Sequence, residues 1–65
     1  MKYKRIDLDG IFEDMFFDST SDLIEYTNSV IFEDYYEGDP KPKSVRTGKE
    51  AISYLKGNKF KIEKL

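Results

Sequence analysis

The period of apolar and polar residues changes several times along this 65-residue chain. From Lys2 to Leu8 it alternates, with Ile6 and Leu8 on one side and Arg5 and Asp7 on the other, which predicts a strand. Asp9-Gly10 then marks a turn, able to close a hairpin or to start a helix. Ile11-Phe12-Glu13-Asp14-Met15-Phe16 supports two readings. Its apolar pairs fall at i, i+1, i+4 and i+5, a helical spacing, whereas Ile and Phe after an Asp-Gly favour a strand. The pattern returns twenty residues later as Ile31-Phe32-Glu33-Asp34-Tyr35-Tyr36, so 30–37 is open in the same way. One recurrence is too few for a repeat architecture.

Between these segments Ser19 can cap a helix, with Asp22 at its third position, and Leu23, Ile24, Thr27, Val30 and Ile31 continue an apolar stripe. The reading is a short helix near 20–29, in competition with a hairpin turning at Asn28-Ser29. Gly38-Asp39-Pro40-Lys41-Pro42-Lys43 interrupts regular structure, and its prolines predict an extended connector over 38–46. Thr47-x-x-Glu50 is a capping box followed by Ala51, Ile52 and Leu55 on one stripe, which predicts a helix over 47–56. Lys56 suits the negative end of its dipole, and Gly57 is the expected left-handed cap. Phe60 and Ile62 then alternate with Lys61 and Glu63 as a final strand. The class expected is α+β: a small, mostly antiparallel sheet containing the N- and C-terminal strands, packed by the 47–56 helix and the shorter one near 20–29. Residues 1–65 are expected to form one small domain, since the 22 residues after Lys43 are too few for a second.

Charge changes this picture more than composition does. The net charge of −2 conceals a run from Ile6 to Pro40 with no Lys or Arg. That run holds Asp7, Asp9, Glu13, Asp14, Asp18, Asp22, Glu25, Glu33, Asp34, Glu37 and Asp39. Lys2, Lys4 and Arg5 precede it; Lys41, Lys43, Arg46, Lys49, Lys56, Lys59, Lys61 and Lys64 follow, against only Glu50 and Glu63. Phe12, Phe16, Phe17, Tyr26, Phe32, Tyr35 and Tyr36 also fall inside the acidic run. That much aromatic area sets it apart from disordered acidic segments.

Several chemistries are disfavoured. With no His and no Cys the usual general base, the thiol nucleophile, the common zinc sites and disulfides are all missing. A chain of this size buries only about 60% of its unfolded surface and has little room for an enclosed pocket. No catalytic residue, cofactor or metal site is therefore expected, and the chain is not read as an enzyme. Asp7-x-Asp9-Gly10 with Glu13 and Asp14 has part of a calcium loop's composition, but the distal ligands are out of register. No stretch is apolar enough to span a bilayer and no secretory leader is seen, so a cytoplasmic location is expected.

What remains is recognition. Carboxylates on a folded surface, with rings between them, can imitate a nucleic-acid backbone and dock on a basic protein. The residues expected to do this are Glu13, Asp14, Glu33, Asp34, Tyr35, Tyr36 and Glu37. The bland counterpart places Phe12, Phe16, Ile31 and Phe32 in the core, with the carboxylates facing water or the chain's own basic termini. A nucleic-acid accessory role through Lys56, Lys59, Lys61 and Lys64, beside Tyr54 and Phe60, is the second reading. The acidic middle opposes it. A homodimer through surplus aromatics is the third.

Overall fold

The computed structural model describes residues 2–38 and 40–65; Met1, and Asp39 in the acidic run and connector, lie outside the described residues. It is an α+β fold of three strands and two helices. β1 (Tyr3–Asp7) is central, flanked by β2 (Met15–Phe17) and β3 (Phe60–Lys64), and both pairings are antiparallel. α1 (Thr20–Glu33) and α2 (Gly48–Gly57) pack on one face of this sheet.

Both helices begin where their caps direct. The Ser19 hydroxyl accepts the Asp22 amide at 3.1 Å, and the Thr47 hydroxyl accepts that of Glu50 at 3.1 Å, each satisfying a free donor of the first turn. α1 continues to Glu33, beyond the 20–29 span that the sequence pattern suggests, because Leu23, Thr27 and Ile31 form one buried stripe at helical spacing. That settles 30–37: helix to Glu33, then a turn capped by Asp34. The ambiguity at 11–17 resolves differently, as an irregular loop followed by β2. The Asp-Gly signal closes a long hairpin, with Gly10 at φ 69° and its N–H donated to the Asp7 carbonyl at 3.1 Å.

Directions follow from the contacts. Tyr3 and Thr20 share a hydroxyl–hydroxyl hydrogen bond of 2.8 Å, and the Arg5 guanidinium donates to the Tyr26 hydroxyl. α1 therefore runs along β1 and ends beyond its Asp7 end. α2 starts beside Thr20 and Tyr3 and leads into Phe60, which pairs with Asp7, so it runs the same way. Two parallel helices need a long return segment. Residues 40–46 of the proline-containing connector supply it as irregular backbone, clamped where the Asn28 side chain accepts the Val45 N–H (2.8 Å) and donates to the Val45 carbonyl (3.1 Å).

The core is small: Tyr3, Phe17, Leu23, Ala51 and Leu55, with Tyr26, Ile52, Phe60 and Ile62 packed around it. Leu23 and Leu55 are fully buried, worth about 1.5–3 kcal/mol each. Two expectations need correction. Tyr3 and Arg5 face the helices while Ile6 faces outward half-buried and Leu8 is exposed, because the long amphipathic side chains reach a ring-lined interior. Gly57 is the last helical residue and not a left-handed cap; the left-handed residue is Lys59, at φ 67°, in the tight turn into β3.

Gly48 lies where the start of α2 meets the start of α1. A Cβ there would lie 2.9 Å from Thr20 Cγ2, and Thr20 is held in place by its bond to Tyr3. Propensity alone would leave Gly48→Ala, at the first position of α2, neutral to slightly stabilising. The expected outcome in denaturant unfolding is the opposite sign, a loss of about 1–3 kcal/mol from overpacking. In a Thr20→Ser background, where the clashing methyl is gone, the same substitution becomes neutral or stabilising.

Candidate functional site

Asp7 organises the loop that carries the first pair of candidate carboxylates. Its Oδ1 accepts the Asp9 amide at 3.0 Å and its Oδ2 accepts those of Ile11 and Phe12, both at 2.9 Å. Arg5 Nη2 donates to the Glu13 carbonyl at 3.0 Å, fastening the far side of the same loop. These bonds use the backbone, so the side chains are left outside. Ile11 is 75% exposed, Phe12 63% and Phe16 66%. Glu13 and Asp14 are exposed between them, and Asp14 meets Lys4 Nζ at 3.5 Å while Lys4 also lies 5.8 Å over the Phe16 ring.

The second group sits at the end of α1. Glu33 closes the helix, Asp34 caps it through amide donation to the Phe32 and Val30 carbonyls, and Tyr35, Tyr36 and Glu37 form the exposed turn beyond. Tyr36 is 74% exposed, and Phe32 one residue before Glu33 is exposed as well. Phe32 also borders a shallow, open groove of about 660 Å³ along α1, with Ile24, Glu25 and Asn28. The structure thus gathers Glu33, Asp34, Tyr35, Tyr36 and Glu37 in one turn and Glu13 with Asp14 in another. Both turns lie toward the Asp7 end of the sheet, but among the described residues no hydrogen bond or ion pair joins them.

Of the four residues assigned to a core in the bland reading, only Ile31 is buried; Phe12, Phe16 and Phe32 face solvent. Pattern reading missed this because helical spacing at 11–16 is satisfied on paper by a segment whose amides Asp7 has already captured. The readable signal was Asp7 itself, a carboxylate two residues before Asp9-Gly10, suited to an Asx-type turn. With both its oxygens accepting amides, Asp7 serves the loop instead of a cation. Among the described residues no three carboxylates converge on a common point.

The electrostatics of α1 run against its own stability. A helix C-terminus carries partial negative charge and favours cations, yet the last turn holds no basic residue while Glu33 and Asp34 stand there. Each such carboxylate costs about 0.3–1 kcal/mol. Internal neutralisation is slight. Two ion pairs form among the described residues, Lys4–Asp14 and Lys61–Glu63, and the first alone joins the acidic run to a basic terminus. Arg5, formally one of the basic N-terminal residues, is buried and forms no ion pair among the described residues, acting on the acidic run through the field it exerts on Asp7.

The lysines of the second reading gather elsewhere. Lys56 and Lys61 rim a groove of about 370 Å³ lined by Leu8, Ile52, Phe60 and Ile62, on the β3 side of the molecule. None of the described helices is long and apolar enough to cross a membrane. Comparison with known proteins finds no matching family model, no similar curated protein and no similar solved structure.

The Asp7 carboxyl is held below its ordinary value of 3.8, chiefly by the Phe12 amide, with the Asp9 and Ile11 amides and nearby Arg5 adding to it against the opposing effect of desolvation. The folded state therefore favours the ionised form. Its contribution is present above pH 3.8 and disappears as pH falls through the lower folded value. A carboxyl NMR titration should place the Asp7 midpoint below 3.8, and Asp7→Ala should release the Ile11 and Phe12 amides to fast hydrogen exchange. A midpoint at or above 3.8 would contradict the loop geometry.

Salt reports on the wider surface. With the acidic run left largely unneutralised, added sodium chloride should raise the melting temperature by screening repulsion among its carboxylates. A fall would mean that attraction to the chain's own lysines dominates.

Proposed function

We propose that this protein is a non-catalytic interaction module, acting as a small inhibitor or regulator that presents an acidic–aromatic surface to a basic protein partner in the cytoplasm. The observation that carries this reading is the end of α1: Glu33, Asp34 and Glu37 beside exposed Phe32, Tyr35 and Tyr36, with no cation in the last turn. The helix dipole alone would favour Lys or Arg at Glu33 and Asp34, and a binding role accounts for carboxylates there. Carboxylates steer a basic partner and set salt dependence, and the rings supply anchors that lose water on contact. Glu13 and Asp14, interleaved with Ile11, Phe12 and Phe16, extend the same chemistry on a loop already held rigid, so little ordering is needed at binding. A basic groove built for a phosphate backbone is the partner surface such an array fits.

The test separates stability from binding. Tagged protein is used to capture partners from its native cell at low and high salt, alongside the variant Glu33→Lys/Asp34→Lys/Glu37→Lys. The variant should melt at a higher temperature than the parent, yet lose at least about tenfold in capture of a basic partner, a change of some 1.4 kcal/mol. Added polyanion should displace the partner from the parent. Capture unaffected by the three reversals would overturn the assignment, as would retention of no basic protein at low salt.

A further inference from the structure

The strand β3 is at the edge of the sheet, and its register with β1 dictates which backbone groups reach the open side. The Leu8 N–H donates to the Lys59 carbonyl at 3.0 Å and the Leu65 N–H to the Lys2 carbonyl at 2.9 Å. In an antiparallel ladder, hydrogen-bonding residues alternate. Residues 59, 61, 63 and 65 therefore turn their amides and carbonyls toward β1, and Phe60, Ile62 and Lys64 turn theirs to the open edge.

The side chains of this edge are self-complementary in one register only. Antiparallel pairing with a second copy about Ile62 sets Ile62 opposite itself, Phe60 opposite Lys64, and Lys61 opposite Glu63 twice. Every outward amide and carbonyl then meets a partner, and the Lys61–Glu63 pairs fall at the closer, non-hydrogen-bonded positions. Sliding by two residues one way opposes Lys61 to Lys61; the other way opposes Glu63 to Glu63. A slide of one residue pairs outward groups with groups already bonded to β1. An edge strand defended by lysines alone would repel its own copy. Glu63 removes that defence and replaces it with a register.

Beside the same edge lies the apolar groove of Leu8, Ile52, Phe60 and Ile62, about 370 Å³, with Lys56 and Lys61 at its rim. Phe60 and Ile62 of a second copy are apolar and arrive on this same face of the extended sheet, since directly opposed residues project to one side.

We propose that β3 is the contact strand of a symmetric dimer in which two copies pair antiparallel about Ile62 and form one six-stranded sheet. The contact is isologous and closes on itself, so it ends at two copies.

Charge exchange tests both contact and register. The unmodified protein, followed by sedimentation equilibrium up to about 1 mM, shows a monomer–dimer equilibrium. Glu63→Lys opposes lysine to lysine at both sites and Lys61→Glu opposes glutamate to glutamate. Each should weaken dimerisation by about tenfold or more. An equimolar mixture of the two variants recovers association as a heterodimer, because both cross-strand pairs are again of opposite sign. The double exchange Lys61→Glu/Glu63→Lys recovers the homodimer. Circular dichroism confirms that each variant remains folded, since both side chains lie on the outer face of the sheet. A parent that stays monomeric throughout, single variants that dimerise as well as the parent, or a mixture that fails to associate would each overturn the proposal.

Discussion

A guanidinium buried without a carboxylate partner holds the parts of this molecule in register. Arg5 is only 5% exposed and no carboxylate lies within ion-pair distance of it among the described residues. It donates instead to the Tyr26 hydroxyl on α1 and the Glu13 carbonyl in the 8–14 loop. The Phe60 ring on β3 lies 4.6 Å from its carbon centre and the Tyr26 ring 5.5 Å. One side chain on β1 thus touches a helix, a loop and the opposite strand. Desolvating a cation costs several kcal/mol, so it is tolerable only where dipoles and ring faces replace water, and few positions of these elements provide that. Nε is buried and finds no hydrogen-bond partner among the described residues, which makes the remaining contacts harder to dispense with. Lysine would not substitute, having neither the planar fork nor a face to stack.

The exposed loop follows from this arrangement. Because Arg5 and Asp7 bind the loop through its backbone, residues 11–16 gain order without burying their side chains. A free apolar loop would collapse onto the core or remain mobile; this one displays Ile11, Phe12 and Phe16 at fixed positions. The core explains why they are not drawn inward. Two helices on three short strands enclose little volume, and Tyr3, Phe17, Leu23, Ala51 and Leu55 with the surrounding half-buried side chains already fill it. Surplus aromatic residues in so small a fold must lie on its surface.

How far this was legible depends on whether the deciding interaction was local. The N-caps at Ser19 and Thr47 act over three residues, and both helix starts could be read directly. The alternation at 60–63 was equally local. Beyond these, tertiary partners decide. α1 extends to Glu33 because Ile31 finds cover, which no capping signal announces. Arg5 faces inward because Tyr26 and Phe60, 21 and 55 positions away, meet there, so hydropathy alternation alone would have placed Ile6 inside. Gly57 looked like a left-handed cap by residue type, but the turn into β3 places the positive φ at Lys59. The carboxylates of the candidate surface were readable as charge. That Phe12, Phe16 and Phe32 accompany them on the outside was not, since helical spacing looks alike whether the stripe is covered or bare.

The two proposed contacts use different parts of the sandwich, and that separation has a consequence. α1 packs over the β2 side, with its acidic end and the 8–14 loop pointing past Asp7, whereas the open edge belongs to β3 under α2. Pairing through β3 leaves both acidic–aromatic surfaces free. It also sets Lys61 of each copy against Glu63 of the other, so that lysine is occupied and cannot compete for the carboxylates. A dimer then carries two acidic surfaces on one rigid sheet. A partner with two basic sites at matching separation would bind the second at a high effective concentration, gaining affinity with no new kind of contact. For a chain whose small core limits how strong any single surface can be, symmetric duplication is the route to tight binding that its physics leaves open.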